Sequence, residues 1–301
     1  MMKMMKKHST LIEATRPKFW FATPAVIVYS ILFMLPVLIA FGLSLTNWNG
    51  LSFAPDKFRF VGVDNYQRML TDKDLISSVL VTLKITVVVS LTVNIGGLAI
   101  ALMLKNSNRI TNTVRSIFFI PYVMSTVAIA FIWMAILSYN GLLNNLLETL
   151  GKEKLSLFAS GKTALACVCV IEIWRTLGFF MVLYIAALQS VPTELQESCL
   201  LDGGGKWKLF WHVQLPLIAP QLITGFLMSI TMEMRLYDLV YILTDGGPGV
   251  STRTIAYSIV TQGFTSWRMG YAGAIAVMLS LMIVIISTAL RTAQKKVEVE
   301  L

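Results

Sequence analysis

Five ionisable side chains stand inside otherwise apolar runs, and they are the residues of this chain best placed to do chemistry. Glu172 and Arg175 interrupt 163–190, while Glu233, Arg235 and Asp238 fall near the end of the run that opens at Leu209. In nonpolar surroundings a carboxylate seeks hydroxyl donors, a cation or a proton, and a guanidinium seeks an acid. The spacings also permit a plainer use. Glu172 with Arg175 and Arg235 with Asp238 are both i, i+3 on a helix and can neutralise each other. No catalytic set accompanies them. Gly161-Lys162-Thr163 resembles the end of a phosphate-binding loop, but Ser156 stands where that loop needs its first glycine. His8 and His212 are isolated, Cys167 and Cys169 are two apart and point to different sides of one helix, and Cys199 lies elsewhere. These give no nucleophile–base pair, no metal set and no disulfide framework. The chain reads as non-enzymatic, binding no cofactor and no metal itself.

The second informative group is the polar, glycine-broken insert 191–216. Thr193 and Gln196 have the spacing of a capping box, and Pro192 suits a first helical turn. A short helix should therefore run to about Leu201 and stop at Asp202-Gly203-Gly204-Gly205. Another should begin near Lys206, placing Trp207, Phe210 and Trp211 on one face before Pro216 opens a long apolar helix. Gly203 lets the chain reverse with positive φ at no steric cost, and Glu197 offers a charge to a basic partner. A compact helix–turn–helix of this kind either docks a partner or rests in lipid headgroups on its tryptophans.

These residues need elements that hold them at membrane depth, and the composition supplies such elements. The chain has 301 residues, 56% hydrophobic and 14% charged, with a mean hydropathy of +0.71, far too apolar for a soluble protein of this length. A helix needs about 20 apolar residues to cross some 30 Å of hydrocarbon. On that measure the charge-poor stretches mark six spans, at about 19–45, 80–104, 113–137, 164–190, 213–243 and 270–291. The net charge of +9 follows topology rather than a nucleic-acid footprint. Lys3, Lys6, Lys7, Arg16 and Lys18 precede the first span, Lys105, Arg109 and Arg115 fill the loop after the second, and Arg291, Lys295 and Lys296 follow the last. The positive-inside rule then puts both termini in the cytoplasm, together with the insert.

The domain organisation expected is a cytoplasmic segment 1–18, a six-helix membrane domain 19–291 carrying the loop 191–216, and a cytoplasmic tail 292–301. The N-terminal lysines and the long run after them read as a retained signal anchor rather than a cleaved signal peptide. In the outside loop 46–75, Lys57, Arg59, Arg68 and Lys73 are balanced by Asp56, Asp64, Asp72 and Asp74. That loop is long enough for a short surface helix, and a second should lie at 142–150 after the Asn140-Gly141 turn. Residues 244–249, T-D-G-G-P-G, form a strong turn signal. Lys84 should snorkel to the surface, and Asn94 should bond between helices.

Two blocks of sequence resemble the membrane-spanning permeases of binding-protein-dependent ABC importers. The family signature is E-A-A, three residues, G, nine residues, I-x-L-P. Here Glu197-Ser198-Cys199 is followed by Gly203 and then Val213-x-Leu215-Pro216 in the same spacing, with two small residues in place of the alanines. The block L-Y-D-L-V-Y-I-L-T-D-G-G-P-G, from Leu236 to Gly249, resembles the sugar branch, and within it the first of two paired permeases. The resemblance implies an all-α integral membrane protein of the type I importer permease fold, in the cytoplasmic membrane of a bacterium or archaeon. Its implied partners are a second homologous permease, two ATPase subunits that use ATP and Mg, an external solute-binding protein and membrane lipid, with no nucleic acid. Glu197, Ser198, Cys199, Asp202, Gly203, Trp207, Leu215 and Pro216 would form the ATPase-coupling surface. The family's sugar contacts carry over to Glu172, Arg175, Thr176 and Phe179 on the fourth helix, and to Ser229, Met232, Glu233 and Leu236 on the fifth.

Three readings remain open at this stage. One is import of a sugar. Another, favoured if Arg175 or Arg235 is unpaired, is import of an anionic solute such as glycerol-3-phosphate. A third, from a different class, is an ion-coupled secondary transporter or a channel using Glu172 and Glu233 as proton or ion sites, which would need no ATPase and leave the insert without a role.

Overall fold

The computed structural model describes residues 19–52, 54 and 58–299. The basic residues of 1–18, together with Asp56 and Lys57, lie outside the described residues. Regular structure among the described residues is helical, apart from one isolated antiparallel bridge between Thr46 and Phe60. Helix α1 covers 19–44, followed by α2 Asp64–Thr71, α3 Lys73–Leu104, α4 Arg109–Val123, α5 Thr126–Leu137, α6 Leu142–Thr149, α7 Gly161–Gln189 and α8 Thr193–Leu201. Helix α9 covers 206–233, α10 is Asp238–Thr244, α11 covers 255–265 and α12 is Met269–Val299. Six stretches are long and apolar enough to cross a membrane.

The expected spans are recovered with instructive differences. α3 starts at Lys73 rather than near 80, because the Asp72 carboxylate caps it by accepting from the N–H groups of Asp74 and Leu75. The third span, expected at 113–137, is two helices in tandem, with Met124 and Ser125 extended between them. Length and composition alone would place a crossing at Thr126–Thr149. However, α4 packs along α7, and the contact is close: a Cβ on Gly178 would fall 1.9 Å from the Phe118 carbonyl oxygen. Small residues of this kind let membrane helices approach to backbone contact. The fifth span, expected at 213–243, starts at 206, stops at Glu233, and continues only as the short α10. Arg235 therefore lies in a break between helices and Asp238 at the next helix start, not on one continuous face. The short helix α11 carried no sequence signal.

Two long helices contain a π-turn just ahead of a proline. In α1 the Leu35 N–H bonds to the Ser30 carbonyl, ahead of Pro36. In α9 the Leu215 N–H bonds to the Phe210 carbonyl, ahead of Pro216. A proline cannot donate within the helix, and the widened turn carries the rod past it without ending it. Pro216 thus sits inside α9 rather than opening it.

The core lies where α3, α7 and α9 pack together, with α12 against α1 and α9. Ile85, Val89 and Val93 of α3 and Phe180, Met181 and Tyr184 of α7 are buried there. Asn94 ties the three central helices, its amide donating to the Ser229 hydroxyl at 2.8 Å while its oxygen accepts from the Tyr184 hydroxyl. Lys84 is exposed. The short helices expected in the two long loops form as α2 and α6.

Candidate functional site

The intramembrane charges gather where α9 breaks. Glu172, 1% exposed, is held by Arg175 one turn along α7, whose Nε donates to Oε2 at 2.9 Å while Nη2 bonds the other oxygen. This planar, two-point pairing suits a guanidinium and a carboxylate. A cavity of about 240 Å3 opens beside the pair, lined by Glu172, Arg175, Met232 and Leu236 together with Thr126, Arg235, Tyr237 and Asp238. Glu233 packs behind it at 1% exposure, close enough to interact electrostatically with Glu172 and Arg175. Arg235 and Asp238 do not pair with each other among the described residues. Arg235 is exposed, and its Nε donates to the Thr231 carbonyl at 3.0 Å. The expected i, i+3 geometry fails because the helix ends between the two residues.

The other carried-over residues are placed differently. The Thr176 hydroxyl donates to the Glu172 carbonyl and is fully buried. Phe179 stacks on Tyr122 of α4, with ring centroids 4.6 Å apart. Ser229, fully buried, is engaged by Asn94. Four of the eight residues therefore line the cavity and four stand behind or beside it. Thr126 and Tyr237 were missed. Tyr237 could have been found from its place in the Leu236–Gly249 block, whereas nothing around Thr126 marks the helix junction that brings it in. Tyr237 also belongs to an aromatic set, 5.4 Å from Tyr241 in a stacked arrangement and 6.2 Å from Tyr257. Tyr257 donates to the Asp245 carboxylate at 2.8 Å, bracing the turn at 244–249, where Asp245, Gly246 and Gly249 have positive φ.

The insert folds as the expected helix–turn–helix. At the end of α8 the Gly203 N–H bonds to the Leu200 carbonyl and the Gly204 N–H to the Cys199 carbonyl, with Gly203 at φ +74°. This paired closure satisfies the last carbonyls and needs a residue at ease with positive φ. The capping box does not form. Pro192 is the N-cap, with no side-chain bond, and Gln196 instead donates to the Val191 carbonyl and accepts from buried Gln214. Tertiary pairing across the turn has displaced the local cap.

Glu197 is exposed and enters no ion pair among the described residues. It faces a cavity of about 830 Å3 shared with Lys105, Asn106, Lys206, Trp207 and Phe210. On the other side of α8 a groove of about 630 Å3 is lined by Ser198, Cys199, Asp202, Lys208, His212 and Pro216. Trp207 is 74% exposed and packs edge-on to Trp211 at 5.5 Å. Leu215 is partly buried at the root of the insert. The three cysteines are free.

Residues 93–299 match the protein family described as binding-protein-dependent transport system inner membrane component. The chain is similar to the probable ABC transporter permease protein YurN of Bacillus subtilis, with 32% identity covering 92% of this chain and 94% of that one. It is also similar to the multiple sugar-binding transport system permease protein MsmF of Streptococcus mutans, with 29% identity covering 94% and 97%. Among solved structures, a chain of a bacterial ABC transporter involved in the import of the acidic polysaccharide alginate shares the fold. Its TM-score is 0.78 at 20% identity, covering 96% of both chains.

Proposed function

The chain belongs to the family of binding-protein-dependent transport system inner membrane components, and from that premise we propose that it forms, with a second permease, the translocation pathway of an ATP-driven sugar importer. It is a multi-pass protein of the cytoplasmic membrane and a permease subunit. The solute arrives on an external binding protein. Cytoplasmic ATPase subunits dock on 197–216, and both termini lie on that same cytoplasmic side.

One observation carries the coupling role. The insert is a closed helix–turn–helix whose exposed Glu197 and Trp207 face outward, while its second helix is the same rod that ends at Glu233 beside the cavity. Motion imposed on the insert is thereby delivered to the charged cavity. Two arrangements of the bundle, biased by nucleotide on the ATPase, give alternating access. The names of relatives such as MsmF support a sugar as the solute, as do Glu172, Asp238 and Tyr237 at the cavity, whose carboxylates can accept hydrogen bonds from hydroxyls and whose ring can stack on a sugar.

A second reading has one observation in its favour. Arg235 lines the cavity without an acid partner among the described residues, so a solute bearing an acidic group would find a guanidinium there. Uptake of radiolabelled neutral and acidic sugars into proteoliposomes containing the chain with its neighbouring-gene partners tests both readings. ATP-dependent accumulation is expected. Accumulation at full rate without any ATPase subunit would overturn the importer assignment.

A further inference from the structure

Helix α3 buries a polar residue at every fourth position: Ser78, Thr82, Thr86, Ser90 and Asn94. Each step of four residues turns the position by about 40°, so the five wind from the side of α3 that meets α11 to the side that meets α9. The two ends of the stripe are satisfied. The Ser78 and Thr82 hydroxyls donate to carbonyls one turn back at 2.9 and 2.8 Å, and accept from the Ser258 hydroxyl and the Ile255 N–H at 3.0 and 2.9 Å. At the other end Asn94 binds Ser229 and Tyr184. Between them, the hydroxyls of Thr86 and Ser90 are buried with no partner.

The helix register sets Glu233 level with that gap. α3 and α9 run antiparallel, and Ser229 fixes their level at Asn94. One turn further along α9 comes Glu233, and three residues later Leu236 is tied to Thr254, next to the Ile255 that meets Thr82. Glu233 is 1% exposed, and neither of its carboxylate oxygens has a partner. A buried carboxyl and two buried hydroxyls at one level of the bundle thus all lack partners, and none bonds to another. The charged or titratable groups facing this point from α7 are Glu172, Arg175 and Cys169. Arg235 and Asp238 lie beyond the break and are exposed. On α12, Tyr271 is committed to Asp72. Two acids therefore share one guanidinium, whose fork Glu172 already occupies. An uncompensated ionised carboxylate at membrane depth is disfavoured by about 2.5–3.5 kcal/mol even on insertion scales, and one bound proton removes that charge.

We propose that Glu233 is a proton-binding site, held as the neutral acid where α9 packs on α3 and α7. The proton comes from water and returns to water when α9 shifts and the seam opens to the adjoining cavity. The site is independent of which solute is carried.

The test uses the full chain in native membrane vesicles and a hydrophobic carbodiimide, which adds only to protonated carboxyls, with adducts mapped by mass spectrometry. An adduct is expected on Glu233, falling about tenfold per pH unit above its transition, with none on ion-paired Glu172. The neutral isostere Glu233→Gln should accumulate in the membrane at the wild-type level and lose the adduct. Three results would each overturn the proposal. One is the absence of a Glu233 adduct at every pH. Another is failure of Glu233→Gln to accumulate where Glu233→Asp does. The third is suppression of the adduct by sodium at fixed pH, which would assign the site to a metal cation.

Discussion

Arg175 grips Glu172 through both guanidinium edges, its Nε 2.9 Å from Oε2 and its Nη2 on the other oxygen, one turn apart on the same helix. Glu172 is 1% exposed, so its charge depends on this one cation. Replacing Arg175 with Ala leaves a buried acid unpaired and should destabilise the chain by about 3–5 kcal/mol. The double change Glu172→Gln with Arg175→Met should recover most of that loss. Thermal unfolding of the detergent-purified variants checks the cycle, and additive losses would contradict it.

Glu197→Ala and Gly203→Asp act on the insert without touching the bundle. Gly203 sits at φ +74° with open space around it, so the aspartate meets backbone strain of about 1–2 kcal/mol rather than a clash. Both variants should insert with the normal pattern of protease-accessible loops, and uptake should fall to background. Transport at the wild-type rate in both would detach the insert from the energy supply.

Glu233→Ala should impair uptake more than it impairs co-purification with the ATPase subunits. Glu233 lies at the far end of α9 from the insert, and its loss leaves the proposed docking surface intact. Pull-down yield and uptake measured on the same preparation separate the two effects. Normal uptake would remove Glu233 from the pathway.

Asp72 makes the fold sensitive to pH from outside the membrane-spanning segments. Burial pushes its carboxyl up. The Tyr271 hydroxyl at 2.7 Å, the N–H groups of Leu75 and Asp74 and the charge of Arg68 outweigh this and hold it below the ordinary carboxylate value. A depressed folded-state value means a contribution complete above the unfolded carboxylate pKa and lost as pH falls through the folded one. The melting temperature should therefore drop on acidification below about pH 4, and Asp72→Asn should flatten that drop. An equally steep decline in Asp72→Asn would assign the acid sensitivity elsewhere.

The membrane-crossing helices were legible because charged residues punctuate the apolar runs, and the insert because its glycines and tryptophans interrupt them. The breaks were not. Met124 and Ser125 lie inside a charge-free stretch, so composition cannot register that the backbone extends there. The end of α9 at Glu233 was hidden for the opposite reason, since Arg235 and Asp238 read as a helical pair when the helix is assumed to continue. The Thr193–Gln196 box was a sound local signal overruled by Gln214, a partner 18 residues away. The polar stripe on α3 was present in the sequence as a strict four-residue repeat. Only Asn94 was singled out there, because serine and threonine in membrane helices usually bond to their own backbone.

The unbroken run from Trp207 to Glu233 also fixes a rotational phase. Each residue added to or removed from such a rod turns everything beyond it by about 100° while changing its length by only ~1.5 Å. A single insertion between Pro216 and Ser229 would swing Glu233 out of the seam and leave the rod's reach almost unaltered. The turn at Phe210–Gln214 already accommodates one such extra residue, and so acts as the angular offset that aligns the two ends. Substitutions along this stretch should be absorbed far more readily than changes in residue count.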